Sequence, residues 1–161
     1  DDAAPSCAAS PQDLPVLDHG DRDVLAAVRR GGYVIAEAPG GSPDVILLAT
    51  GSEVSVALGA RTLLHERGVA ARVVSMPCLE WFEEQDQAYR DEVLPPAVKA
   101  RVSIEAGVTT PWWKYVGSDG RTIGIDHFGA SADGALLFKE FGITTDAVIQ
   151  AAKESVASAQ G

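Results

Sequence analysis

Asp44-Val-Ile-Leu-Leu-Ala-Thr-Gly-Ser-Glu-Val-Ser-Val-Ala-Leu-Gly-Ala-Arg-Thr-Leu-Leu64 reads as a strand, a tight turn and a helix in unbroken succession. Asp44 to Thr50 is apolar without polar alternation, the pattern of a strand covered on both faces, and so a central one. Gly51-Ser-Glu53 is the turn: glycine tolerates the backbone angles, and Ser52 is placed to cap the helix by accepting a hydrogen bond from a free amide. On a 3.6-residue period Val56, Ala57, Ala60, Leu63 and Leu64 share one side, while Ser55, Thr62, His65 and Glu66 fall opposite. Gly68 ends the helix, and Ala70 to Met76 is a second apolar strand. The whole is a right-handed strand-helix-strand unit of an open, mostly parallel sheet. Such sheets bind ligands at the carboxyl ends of their strands, which makes Thr50, Gly51 and Ser52 the mouth of any site.

Outward from this unit, Asp21 to Arg30 predicts a short helix closed by Gly31-Gly32, and Tyr33 to Ala38 a strand. That strand is joined to Asp44–Thr50 by a turn too short for a parallel crossover, so it runs antiparallel to the central strand. Downstream, Leu79 to Leu94 predicts one or two short helices, Val98 to Ala106 a strand, and the region from Pro111 a helix carrying Trp112, Trp113 and Tyr115. Arg121 to Asp126 is the last strand. Ser131 opens a helix ended by Gly142, and Thr144 or Thr145 starts the final one, with Val148, Ile149, Ala151, Ala152 and Val156 inward. The expected fold is a three-layer α/β/α open sheet, mostly parallel with one antiparallel strand. Residues 1–20, rich in Ala, Ser, Pro and Asp, read as a flexible linker or altered tail, and 21–161 as the domain.

The 161 residues are enough for one domain with a real core, without disulfides or metals. Asp plus Glu number 23 against 13 Lys plus Arg, a net charge of −10 that opposes nucleic-acid binding. No apolar stretch approaches a membrane span or a signal peptide. The two cysteines, Cys7 and Cys78, form no disulfide framework, so reduced thiols in a cytoplasmic protein are expected. A chain beginning at Asp1 reads as a piece of a longer polypeptide.

No convincing catalytic constellation emerges. His19, His65 and His127 lie in different elements without paired ligand spacing, so no metal site is expected. Ser52 lacks the glycine-framed elbow of a catalytic serine, and its turn is neither a lysine-type phosphate loop nor a dinucleotide fingerprint. The helix start at Gly51 and Ser52 could hold a small anion, although Glu53 in the first turn opposes one. Glu105 and His127, at strand ends, are either an acid and a base facing a ligand or satisfied rim residues. Trp112, Trp113 and Tyr115 are either core or a buried interface.

The ordered motifs Gly31-Gly-Tyr-Val34, Ala49-Thr-Gly-Ser-Glu-Val54, Arg72-Val-Val-Ser-Met-Pro77, Tyr89-Arg-Asp-Glu-Val-Leu-Pro95, Ile104-Glu-Ala-Gly107, Trp113-Lys-Tyr-Val-Gly117, Phe128-Gly-Ala-Ser131 and Leu137 to Gly142 resemble the C-terminal domain of transketolase in its bacterial form. The likeness runs from about Leu14 to the end. It implies a parent enzyme of the pentose phosphate pathway that moves a two-carbon ketol unit between sugar phosphates, using thiamine diphosphate and magnesium or calcium. Cofactor and metal would sit on two preceding domains across a homodimer interface, so the resemblance assigns no catalytic, cofactor or metal residue here and makes those domains the expected partners. At the junction with the middle domain the family often carries Ser-Arg-Gln-x-Leu-Pro, whose arginine holds substrate phosphate. Here Ser10-Pro-Gln-Asp-Leu-Pro15 puts Pro11 in its place. Two other readings stay open: a domain holding a small anionic or nucleotide regulator at the mouth, and a piece of a related thiamine-dependent synthase, such as a dihydroxyacetone or deoxyxylulose phosphate synthase.

Overall fold

The computed structural model describes residues 23–126 and 142–161. The tail with Cys7 and Pro11, His19, His127 and the helix expected from Ser131 lie outside them. Helix α1 (Val24–Arg29) starts at Asp23, whose side chain accepts from the Ala26 amide at 3.1 Å. It ends against Gly31 (φ 79°), where any β-carbon would collide with backbone of Cys78 and Phe82; this is what the Gly31-Gly32 pair is for. Strand β1 (Tyr33–Ala36) follows, then β2 (Val45–Ala49) and α2 (Glu53–Glu66). The C-terminus of α2 closes with the Gly68 amide on the His65 carbonyl and the Val69 amide on that of Leu64, each at 3.0 Å, before β3 (Ala71–Ser75). The region after β3 forms two short helices, α3 (Leu79–Glu83) and α4 (Gln87–Val93). Then come β4 (Arg101–Ile104), a 3₁₀ turn (Thr110–Trp112) running into α5 (Trp113–Val116), β5 (Arg121–Ile123) and α6 (Thr145–Gln160).

The sheet order is β1-β3-β2-β4-β5, with β3, β2, β4 and β5 parallel and β1 antiparallel. The central place of β2 and the single antiparallel strand agree with the sequence reading. β1 does not neighbour β2 but pairs with β3 (Tyr33 opposite Ser75), since both sides of β2 are taken by β3 and β4. Alternation then sorts one apolar run onto two cores. Val45, Leu47 and Ala49 face α2 and α6, with Ala57, Leu64, Val148 and Ala152; Ile46 and Leu48 face α3, α4 and α5, with Phe82, Val93, Trp112 and Tyr115. On α2 the buried set is Glu53, Val54, Ala57, Ala60 and Leu64, while Val56 and Leu63 are only partly covered.

Two arginines, Arg72 buried and Arg101 partly buried, tie the α3–α5 layer to the sheet. Arg72 on β3 makes a bidentate pair with Glu37, both contacts 2.9 Å, and donates to the Glu92 and Val93 carbonyls at 2.8 and 3.1 Å. Arg101 on β4 donates to four carbonyls, those of Val98, Tyr115, Leu94 and Pro95, at 2.8–3.2 Å. Burial pulls its pKa below the ordinary guanidinium value. On the other face Ser155 of α6 accepts from the Arg101 amide at 2.9 Å and donates to the Asp119 carbonyl at 2.7 Å. At the start of α6 Thr144 caps the Ala147 amide at 3.2 Å, as its position predicts. No helix among the described residues is long and apolar enough to cross a membrane.

Candidate functional site

The carboxyl ends of β2, β4 and β5 converge where the chain order places a mouth. Gly51 takes φ 56° to turn β2 into α2. The amides of Glu53, Val54 and Ser55 then bond back to the carbonyls of Thr50, Gly51 and Ser52 at 3.2–3.4 Å. Ser52 does not cap with its side chain: the residue is itself helical, and its hydroxyl donates to the Glu53 carboxylate at 3.2 Å. Glu53 is only 5% exposed, and its other oxygen accepts from the Ala106 amide at 3.2 Å. Burial holds its pKa above the usual carboxylate value against the pull of its hydrogen bonds, and the nearby charge of Glu105 adds to the rise.

Glu105 accepts from the Trp112 indole N–H, and Asp126 accepts from the Thr109 amide at 2.8 Å and from the Thr109 hydroxyl. Three carboxylates from three neighbouring strand ends thus brace one loop, at Ala106, Thr109 and Trp112. Nothing in the sequence pairs Glu53 or Asp126 with that loop; the only signal was their position at strand ends. Glu105 is a rim residue engaged within the fold, and His127 lies outside the described residues. The aromatic trio divides. Trp112 and Tyr115 are core, their rings 6.2 Å apart, with the Tyr115 hydroxyl on Glu83 at 2.6 Å, whereas Trp113 is 53% exposed. Of the three residues read together as a core or an interface, only Trp113 is available to a partner.

Chemically, the described residues at the mouth offer carboxylates already holding donors. Among the described residues no three His, Cys, Asp or Glu side chains are grouped to hold a metal ion.

A family model described as the transketolase-like TK C-terminal domain matches residues 31–144. The chain is 53% identical over 149 residues to the transketolase of Mycobacterium tuberculosis, covering 90% of this chain and 21% of that protein. It is 52% identical over 130 residues to transketolase 1 of Escherichia coli K12, covering 81% and 20%. A Pichia stipitis transketolase crystallised with sedoheptulose 7-phosphate superimposes with a TM-score of 0.79 at 35% identity, over 91% of this chain and 20% of that one. The chain thus spans about a fifth of the relatives it matches. With a five-stranded mixed sheet between two helical layers and a family match over most of its length, this chain belongs to the transketolase C-terminal domain family.

Proposed function

We propose that this chain is the C-terminal unit of a cytoplasmic transketolase. The parent enzyme transfers a two-carbon ketol unit between sugar phosphates with thiamine diphosphate and magnesium or calcium. The unit supplies no catalytic group; it is a rigid body that supports the two preceding domains and the parent homodimer. Coverage carries this reading: identity above 50% to bacterial transketolases, confined to about a fifth of their length. The bracing of the mouth supports it, because carboxylates that pin a loop are not free to move protons. No step of the transfer is routed through residues of this chain.

The test replaces the matching fifth of the M. tuberculosis transketolase by this chain and measures ketol transfer beside the chain alone, with thiamine diphosphate and magnesium. We expect turnover from the chimera and none from the chain alone. Turnover by the chain alone would overturn the noncatalytic role, and a folded but inactive chimera would overturn its equivalence to the family's domain.

A further inference from the structure

In a chain of net charge −10, positive groups gather along one side of α5. A trough of about 390 Å³ runs between α4, the segment leading into β4, and α5; a narrower one of about 230 Å³ continues past Val116 to Asp119. Lys99, Arg101 and Lys114 line both. The wider trough has four cationic side chains against two carboxylates, and the narrower three against one.

The carboxylates present do not cancel this surplus. Glu83 is shared by Lys114 at 3.1 Å, Arg90 at 3.5 Å and the Tyr115 hydroxyl, so one negative charge faces two positive ones. Asp91 accepts from the Gln87 side-chain amide at 2.6 Å, and its charge lies close enough to Arg101 to favour the guanidinium, so it offsets one of the four cations. The acceptors on Arg101 are carbonyls, which carry no formal charge, and they take four of its five N–H groups, leaving one on Nη1. Lys99 is exposed and makes no ion pair among the described residues.

We propose that this trough binds a small dianion of phosphate chemistry, gripped by the ammonium groups of Lys99 and Lys114 over the guanidinium of Arg101. An excess of two positive charges matches a dianion, and two ammonium groups beside the one free N–H of Arg101 offer donors to the oxygens of a phosphate group. The wider volume falls in the range of small-molecule sites, roughly 300–1,000 Å³. The negative field of the whole chain disfavours an extended polyanion and leaves a compact one as the fitting partner. This inference rests on the charges of this chain and not on the family assignment.

The test is calorimetric titration of the full chain with inorganic phosphate at about pH 8, where it is a dianion, at fixed ionic strength, with the fluorescence of exposed Trp113, beside Lys114, as a second signal. We expect saturable binding in about the millimolar range or tighter. Lys99→Gln and Lys114→Gln should each weaken it about tenfold. Lys153→Gln, on the exposed face of α6, should leave it unchanged. Arg101 is avoided as a target because its carbonyl bonds hold the fold, whereas both lysines are exposed. Absence of saturation, equal competition by chloride, equal weakening by Lys153→Gln, or full binding by the folded Lys99→Gln/Lys114→Gln double variant would each overturn the proposal.

Discussion

Replacing Arg101 by methionine tests how the α3–α5 layer is held to the sheet. The guanidinium reaches four carbonyls: Val98, Leu94 and Pro95 before β4, and Tyr115 at the end of α5, of which that of Pro95 also accepts from the Val98 amide at 3.0 Å. Hydrogen bonds to a charged donor contribute about 1.5–3 kcal/mol each. Offsetting this, the variant no longer desolvates a guanidinium, which burial already disfavours enough to lower its pKa. Part of the side chain and some of the carbonyls also reach water, which softens each loss. A net cost of about 3 kcal/mol is expected, against a total stability of about 5–15 kcal/mol for a domain. With an m-value of about 2 kcal/mol/M, the urea midpoint should fall by about 1.5 M. Arg101→Lys should recover less than half, because one ammonium cannot reach carbonyls on two elements at once. The assay is urea unfolding followed by circular dichroism. A midpoint shift below about 0.5 M for the methionine variant, or complete rescue by lysine, would refute the reasoning.

Three further outcomes follow from the same geometry. Glu53 has a folded pKa above its unfolded value of 4.5, so its favourable contribution is complete below that value and is lost as pH rises through the folded pKa. Glu53→Gln, which keeps an acceptor for the Ala106 amide, should therefore gain on the wild type as pH rises above about 4.5 in thermal melts; parallel pH profiles would contradict this. Ser103, 1% exposed on β4, has a hydroxyl with no partner among the described residues, so Ser103→Ala should stabilise by about 1 kcal/mol in urea titrations, and a loss of that size would count against it. Trp112→Ala should cost about 3–5 kcal/mol through lost core and the freed Glu105 carboxylate, while Trp113→Ser changes stability by less than about 0.5 kcal/mol; comparable melting shifts for the two would show the division of the pair to be wrong.

The absence of polar alternation in Val45–Ala49, the periodicity of α2, the closing Gly68 and the capping Thr144 were legible because each is a local rule, satisfied within a few residues of backbone. So was the direction of β1, since a short connection forbids a parallel return. The order of motifs likewise carried the family. What tertiary structure alone decided concerns groups far apart in the chain. β1 pairs with β3 because both flanks of β2 were occupied. Ser52 serves Glu53 instead of the helix, because a buried carboxylate at the strand ends needs donors, and one of these comes from Ala106, 53 positions away. Trp112 and Trp113 part company because a turn of only a few residues points adjacent side chains to opposite sides, one into the core and one into solvent. Local backbone preference and apolar period are written in neighbouring residues; which distant loops meet, and which charges they leave unmatched, is set only when the sheet brings its strand ends together.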